Sequence, residues 1–394
     1  MLTLLSRFLL LYLTSQTDPG GLSTLMRVDE AGYIEEAGII MNNGFLLLWN
    51  APLYPMFLAA FFKVFGTNYL LASILNIILF SCAIGILYST IAYFFNEIRA
   101  LITAYILILY PTLLLNILLP TSEALYLFLL SCGFYTFLKY LEYEKRVYGA
   151  ITAIILGLLT LTKETFIFLP VIISALILIK YLPNFKKSLK KILFIILIYI
   201  LALLPFLIHN YQASGKFTLS KKTSRVIEAL PADLGSINKR VYIPLNKISY
   251  ITQIKSYFWE RKRFFFGTGT FSLMRTLGYD SSRLELVADK PQDYFRLLKE
   301  YGRGWIIFQF FASLFVIAIY LSGLFAMLLL LKKKRWKEIS CFMLIISYFL
   351  AAYSCRYNSR YFIVLVPLLA FLSSYFYSNL YHQIQDKKKN LRGC

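Results

Sequence analysis

The chain has 394 residues, 59 % of them hydrophobic, and carries 41 Lys and Arg against 20 Asp and Glu, for a net charge of +21. Uncharged runs long enough to cross the hydrocarbon core of a bilayer, which takes about 20 residues as a helix, recur along its length. Neither a soluble globular protein nor a disordered chain tolerates so many of them, so both classes are excluded.

The apolar runs predict an all-α, polytopic membrane protein with about ten transmembrane helices. The first predicted span ends near Thr14, and since no small-residue cleavage site follows it, we expect it not to be a cleaved signal. The other predicted spans are 69–94, 100–119, 124–138, 147–162, 165–179, 192–208, 304–331, 339–355 and 361–381.

In the loop after the first span, residues 28–36 hold four carboxylates in a chain that has few acids. Asp29 and Glu30 open this run and are candidates for acid–base chemistry. Asp29 also suits a helix N-cap, with Glu30 as a first-turn acid that the helix dipole favours. The two roles are compatible, because a capping residue is held in a fixed place.

The first outer loop, residues 16–68, predicts amphipathic surface helices rather than spans. Apolar residues recur at helical spacing after Asp29 and again after Pro52 and Pro55. The two sets are Tyr33, Ile34, Ala37, Ile40 and Met41, and Tyr54, Phe57, Leu58, Phe61, Phe62 and Phe65. Helices of this kind lie along a membrane interface.

Lys and Arg concentrate in alternate loops, which predicts the orientation of the chain. If the amino terminus is inside, the basic clusters at 139–146, 180–191, 332–335 and 387–389 all fall on one side. Because short basic loops stay in the cytoplasm, both termini are expected there. We therefore expect a multi-pass protein of the cell inner (plasma) membrane, with its two long loops and its site on the extracytoplasmic side.

Three regions follow from this topology. Residues 1–208 form a transmembrane core that includes the first outer loop, 209–303 form a small extracytoplasmic segment between spans seven and eight, and 304–394 form the last helices and a basic cytoplasmic tail. The middle segment has about twice as many basic as acidic residues. It suits an anionic partner such as lipid head groups, with a solvated surface as the alternative. No nucleic-acid partner is expected.

Ionisable residues collect at the predicted outer ends of the spans. They are Asp29, Glu30, Glu123, Lys163 with Glu164, His209, Arg356 and Arg360. Such groups are costly near membrane depth and usually face a bundle interior or a watery cavity, so they predict a site on the outer face.

Each of these residues also has a simpler explanation. Lys163 can snorkel to the interface, and His209 can be an interfacial residue with an ordinary hydrogen bond. Glu123 can be a first-turn acid of a helix capped by Thr121 or Ser122. These alternatives stay open on the sequence alone.

The five cysteines show no spacing typical of a disulfide framework or a zinc site. No residue pattern supports a bound divalent metal either. We therefore expect a protein without a structural metal and without a required cofactor, and a divalent metal stays open as an alternative.

Six segments resemble, in this order, the membrane glycosyltransferases of the C-type superfamily. They are VDEAGYIEEA, NAPLYPMFLAAFFKVFG, LPTSEALYLFLL, GLLTLTKETFIFLP, LPFLIHNYQASGKFTLS and RYNSRYFIVLVP. The nearest branch is family 39, which includes protein O-mannosyltransferases, lipid A aminoarabinose transferases and bacterial relatives that decorate envelope polysaccharide. The resemblance covers about residues 7–370.

The resemblance implies an inverting transfer of a sugar from a polyprenyl-phosphate donor to an acceptor hydroxyl on the extracytoplasmic side. The acceptor would be an envelope glycan, a lipid or a protein. By position, Asp29 matches the family's base, with Glu30 beside it, and Glu123 matches a second site carboxylate that orients donor or acceptor. The cationic residues suited to the donor phosphate are Arg27, Lys163, His209, Arg356 and Arg360.

The chain differs from one branch of this family, the eukaryotic protein O-mannosyltransferases. Residues 209–303 are too few for the inserted sugar-binding-like domain of eukaryotic protein O-mannosyltransferases and lack its repeats, which favours a bacterial envelope enzyme.

Two alternatives remain: a lipid-linked-sugar flippase or other transporter, and an O-antigen polymerase or ligase. A transporter would place charges near the membrane midplane on interrupted helices, and a polymerase or ligase would show a larger outer loop with paired arginines.

Overall fold

A computed structural model describes residues 28–44, 47–222, 303–352 and 363–392. All regular secondary structure in these ranges is helical, which confirms the predicted all-α fold. The helices fall into two units, one built from residues 27–72 and 120–262 and the other from residues 1–26, 73–119 and 263–394. We call them the acidic-loop unit and the carboxyl-terminal unit.

In the acidic-loop unit, α1 and α2 come from the first outer loop and four further helices follow. Their bounds are α1 Val28–Asn43, α2 Leu53–Phe65, α6 Glu123–Tyr143, α7 Arg146–Thr162, α8 Leu169–Lys180 and α9 Phe185–Ser214. A 3-10 turn, Glu164–Phe166, joins α7 to α8.

The carboxyl-terminal unit contains most of α3 and the helices α4, α5, α10, α11 and α12. Their bounds are α3 Tyr69–Phe94, α4 Glu97–Leu109, α5 Pro111–Asn116, α10 Arg303–Lys332, α11 Trp336–Ala352 and α12 Val366–Arg392. Helix α12 packs against both α4 and α10, and Ser373 of α12 donates a hydrogen bond of 3.0 Å to the carbonyl of Ile319 in α10.

Within the described residues, five helices are long and apolar enough to cross a membrane. They are Tyr69–Phe94, Glu123–Tyr143, Phe185–Ser214, Leu314–Lys332 and Ile363–Gln385. The protein is thus a multi-pass membrane protein, as its composition predicts. The total of ten spans stays a prediction.

Two predicted spans differ from the helices observed. The predicted span 100–119 is divided into α4 and α5, because Pro111 follows Tyr110 and a residue before proline avoids the α region; Tyr110 is extended, with φ −63° and ψ 118°. The predicted span 165–179 opens with the 3-10 turn, and α8 begins only at Leu169, with Pro170 in its first turn.

Helix α7 is the central packing element of the acidic-loop unit, since it contacts both α6 and α9. Glycines allow the close approach. A Cβ at Gly157 would lie 2.8 Å from the Cβ of Ala202 in α9, and a Cβ at Gly149 would lie 2.8 Å from the ring of Tyr140 in α6. Small residues at such crossings bring membrane helices close enough for extensive van der Waals contact.

At one end of this unit, the basic turns 139–146 and 180–191 meet around Glu144. Lys187 Nζ lies 2.6 Å from Glu144 Oε2, and the hydroxyl of Tyr181 donates to Oε1 at 2.8 Å. These two hydrogen bonds, Lys187 first, lower the pKa of Glu144 to about 2. The contact places the two basic turns at the same end of the unit.

Candidate functional site at the acidic end of helix α6

Glu123 lies in the first turn of α6, and its side chain is fully buried. The preceding Ser122 makes no side-chain capping bond, and its Oγ instead lies 3.3 Å from the hydroxyl of Tyr33 in α1. Glu123 is therefore a first-turn acid, which the helix dipole favours, but it is also withdrawn from solvent. A buried carboxylate requires a charged or hydrogen-bonding partner.

Lys163 supplies that partner from the end of α7. Its Nζ lies 3.4 Å from Oε1 of Glu123, across 40 residues of sequence. Extended backbone at Lys163, with φ −155°, ends the helix there. The side chain of Lys163 keeps 15 % of its surface exposed, whereas Glu123 keeps none. The ion pair thus has one buried member and one that solvent can reach.

An aromatic ring lies beside the ammonium group of Lys163. Its Nζ lies 5.0 Å from the ring centroid of Tyr126, one turn after Glu123 on α6. The Tyr126 ring is buried and contacts Phe166 of the 3-10 turn at 5.5 Å between centroids. A cation near a ring face gains electrostatic stabilisation, most when water is excluded. Lys163 is therefore held by a carboxylate and by an aromatic ring.

The residue after Lys163 ties a later segment to the same end of the unit. Ser220 Oγ donates a hydrogen bond to Oε1 of Glu164. The backbone amides of Lys221 and Lys222 donate to the carbonyls of Leu48 and Trp49, at 2.8 and 3.3 Å. Residues 218–222, which we call the strap, are thereby fastened to both the 3-10 turn and the first outer loop.

A second carboxylate fixes the loop on which the strap rests. Glu36 of α1 accepts from the backbone amide of Asn50 at 2.9 Å and from its side-chain amide at 3.0 Å. Asn210 of α9 holds the strap from the other side through a hydrogen bond of 2.7 Å from its Nδ2 to the carbonyl of Thr218. The polar end of the unit is thus cross-linked by side chains from α1, the 3-10 turn and α9.

The predicted site residues are placed as follows. Glu123 and Lys163 form a pair, and His209 is half-buried near the end of α9. The backbone of Asp29 and Glu30 forms the first turn of α1, but their side chains lie outside the described structure. Arg27, Arg356 and Arg360 and most of the loop 209–303 also lie outside the described residues.

Sequence reasoning missed several residues at this end of the unit. They are Tyr33, Glu36, Ser122, Tyr126 and Ser220. A signal existed for Tyr126, because positions 123 and 126 share a face of a helix. Nothing in the sequence pairs Ser220 with Glu164. Across the described ranges, no group of three His, Cys, Asp or Glu residues has the arrangement of a metal site.

Part of the chain is similar to a known protein family. Residues 50–209 match the family described as dolichyl-phosphate-mannose-protein mannosyltransferase. The matched segment contains both Glu123 and Lys163. No curated protein matches the chain in sequence.

Solved structures show the fold. The oligosaccharyltransferase of Archaeoglobus fulgidus in complex with zinc and sulfate is 17 % identical, with a TM-score of 0.56 over 90 % of this chain and 45 % of that one. The oligosaccharyltransferase AglB from Archaeoglobus fulgidus, in complex with an inhibitory peptide and dolichol-phosphate, is 13 % identical, with a TM-score of 0.53 over 93 % and 48 %. The predicted resemblance to C-type membrane glycosyltransferases is confirmed.

This chain spans about half the length of those two oligosaccharyltransferases. ArnT from Cupriavidus metallidurans bound to undecaprenyl phosphate is also similar, at 14 % identity, covering 94 % of this chain and 77 % of that one with a TM-score of 0.46.

Proposed function

We propose that the protein is an inverting glycosyltransferase that moves a sugar from a polyprenyl-phosphate donor to an acceptor hydroxyl on the extracytoplasmic side of the membrane. The observation that carries this proposal is the Glu123–Lys163 pair, in which a partly exposed cation lies on a buried carboxylate. The pair falls inside the segment that matches a polyprenyl-phosphate-sugar transferase family. That an AglB structure of the same fold was solved with dolichol-phosphate supports the donor class.

Lys163 is the proposed ligand of the donor phosphate. Phosphate leaves without a proton donor, provided that cations stabilise the negative charge it gathers as the glycosidic bond breaks. The exposed part of the Lys163 side chain can meet an anion, while the ring of Tyr126 limits the directions in which the ammonium group can turn. His209, Arg27, Arg356 and Arg360 are proposed as further phosphate ligands.

Glu123 then acts through Lys163 and is a positioning residue. Its carboxylate is fully buried and already paired, so it is poorly placed to take a proton from an acceptor. What it provides is a fixed anchor for the ammonium group. Electrostatic stabilisation depends on charges that are in place before the reaction begins.

Asp29 is the proposed base, and Glu30 is proposed to support it. The acceptor hydroxyl must lose a proton as it attacks the anomeric carbon, and a carboxylate within hydrogen-bond reach takes that proton. Positions 29 and 33 share a face of α1, and Tyr33 contacts Ser122, the residue before Glu123. This spacing supports the same site for Asp29 and the ion pair.

The chemistry proposed here calls for no cofactor. Several cationic side chains supply the charge stabilisation that a divalent cation would otherwise give to the leaving phosphate. We therefore expect transfer to continue after treatment of the protein with a chelator.

The position of the ion pair bears on the transporter alternative. A transporter site near the midplane would place charges midway along broken helices. Glu123 and Lys163 lie at the ends of α6 and α7 instead, which supports a surface-facing enzyme site.

The test is transfer by the purified, liposome-inserted protein from polyprenyl-phosphate-linked sugars. Asp29→Asn should lower turnover per inserted molecule by about a hundredfold to ten-thousandfold, because the amide preserves shape but cannot take the proton. Glu35→Gln is the matched control, since Glu35 is an exposed acid on the same helix. Near-normal turnover by Asp29→Asn would refute the assignment of Asp29 as the base. The absence of transfer by the wild-type protein from every such donor would refute the proposed function.

A further inference from the structure

A second cluster of cations lies in the carboxyl-terminal unit, far in sequence from the site described above. The guanidinium carbon of Arg99, at the start of α4, lies 4.7 Å from the ring centroid of Tyr375 in α12. Lys333, just after α10, has its Nζ 5.6 Å from the same centroid. Two cations therefore share one ring. We call Arg99, Lys333, Tyr375 and Ser378 the Tyr375 cluster.

Neither of these cations forms an ion pair within the described part of the chain, although the Glu338 carboxylate lies near enough to Arg99 to offset part of its charge. The nearby Arg335 forms an ion pair with Glu338, but no carboxylate of the described residues forms an ion pair with Arg99 or Lys333. The Nζ of Lys333 donates to the side-chain oxygen of Asn379 at 2.9 Å, a neutral acceptor that orients the ammonium group without cancelling its charge. Two positive charges on one ring repel each other unless an anion joins them.

Three polar groups of the cluster are buried and lack a hydrogen-bond partner among the described residues. They are Nε of Arg99, the hydroxyl of Tyr375 and Oγ of Ser378. Tyr375 is 6 % exposed and Ser378 is 1 % exposed. Positions 375 and 378 share a face of α12. Buried polar groups are almost always hydrogen-bonded, so three together in one place call for an explanation.

The missing partner has a definite chemistry. Two cations, a guanidinium N–H and two hydroxyls can all serve a group that only accepts hydrogen bonds and carries negative charge, which describes a phosphate. The cluster lies where the turns after α3 and α10 are predicted to be cytoplasmic. Basic pockets at the cytoplasmic ends of membrane helices recognise anionic head groups.

We propose that the Tyr375 cluster binds the phosphate of an anionic phospholipid head group at the start of α4 and the end of α10, which are predicted to face the cytoplasm, against the middle of α12. The position at the ends of membrane helices favours a lipid over a soluble phosphate. Bound lipid would join three helices of the carboxyl-terminal unit, so its effect is on the stability of that unit and not on the transfer reaction.

The experiment measures the thermal unfolding of the full chain in neutral detergent, with phosphatidylglycerol, phosphatidylcholine or inorganic phosphate added separately. Phosphatidylglycerol should raise the unfolding temperature of the wild-type protein more than phosphatidylcholine or inorganic phosphate does. Arg99→Gln should require about tenfold more phosphatidylglycerol for the same shift, the size expected for one charge-assisted hydrogen bond. Lys337→Gln, which removes an exposed charge from α11, should respond like the wild type.

Tyr375→Phe separates binding from structure. Without lipid it should unfold at or above the wild-type temperature, because it removes a hydroxyl that has no partner. With phosphatidylglycerol its stabilisation should be smaller than that of the wild type. A loss of stability in neutral detergent would instead make the hydroxyl structural and overturn the proposal, as would an equal lipid response in Arg99→Gln and Lys337→Gln. An equal shift of the unfolding temperature by inorganic phosphate would contradict the assignment of the bound phosphate to a lipid.

Discussion

At the scale of single residues, Lys163 shows what the sequence could predict about the candidate site and what it could not. Its place at the outer end of a predicted span made it a candidate phosphate ligand, with snorkelling as the alternative. The structure directs its ammonium group to Glu123 and to the ring of Tyr126. Sequence could nominate both charged residues, but not their pairing, since 40 residues separate them.

If Lys163 binds the donor phosphate, Lys163→Gln should raise the donor concentration needed for half-maximal transfer by roughly tenfold to a hundredfold. The loss is that of a charge-assisted hydrogen bond. Lys63→Gln is the control, because Lys63 is exposed at the end of α2. Initial rates against polyprenyl-phosphate-sugar concentration, normalised to inserted protein, measure the effect. Unchanged donor dependence in Lys163→Gln would refute the assignment.

The buried partner makes a separate prediction about stability. Lys163→Met leaves the fully buried carboxylate of Glu123 without its cation and should lower the free energy of unfolding by about 3–5 kcal/mol. Removing both charges, in Glu123→Gln with Lys163→Met, should cost clearly less than the sum of the two single changes. Unfolding in mixed micelles measures this double-mutant cycle. Additive losses would show that the two side chains do not interact.

At the scale of elements, helices are present at both places predicted in the first outer loop, as α1 and α2, and long apolar runs such as 69–94 form single helices. The errors fall at prolines. Pro111 divides one predicted span, and Pro170 lies in the first turn of a helix that begins later than predicted. Hydropathy alone misses these breaks, because it does not include the amide that proline lacks or the restricted conformation of the residue before it. The position of the strap could not be predicted from the sequence either, because backbone hydrogen bonds to a distant loop hold it in place.

Gly157 tests the packing of α7 on α9. Gly157→Ala would gain helix propensity, yet its Cβ would lie 2.8 Å from that of Ala202, so the helices must separate. A net loss of roughly 1–2 kcal/mol in unfolding free energy is expected. Adding Ala202→Gly should restore much of it.

Gly85→Ala is the matched control for this crossing, because nothing lies within 4 Å of the position of its new Cβ. It should leave stability unchanged or slightly higher. A Gly157→Ala protein as stable as Gly85→Ala would show that the α7–α9 crossing tolerates a wider spacing.

At the scale of the whole molecule, charge distribution predicts the topology, and α9 allows a test on a single helix. Lys186 and Gln212 are both exposed and stand near its opposite ends, about 39 Å apart along the axis at 1.5 Å per residue. In a cysteine-free background, Gln212→Cys should react with an impermeant maleimide on intact cells. Lys186→Cys should react only after permeabilisation. The reverse pattern would place the site in the cytoplasm.

The central claim, transfer of a sugar outside the membrane, is tested most directly by mass spectrometry of envelope glycans and lipid A. The samples are cells that lack the protein and the same cells complemented with the wild-type chain or with Asp29→Asn. We predict that one sugar is missing in the deletion strain, returns with the wild-type chain and stays missing with Asp29→Asn at equal membrane levels. An unchanged glycan profile in the deletion strain, or full restoration by Asp29→Asn, would contradict it.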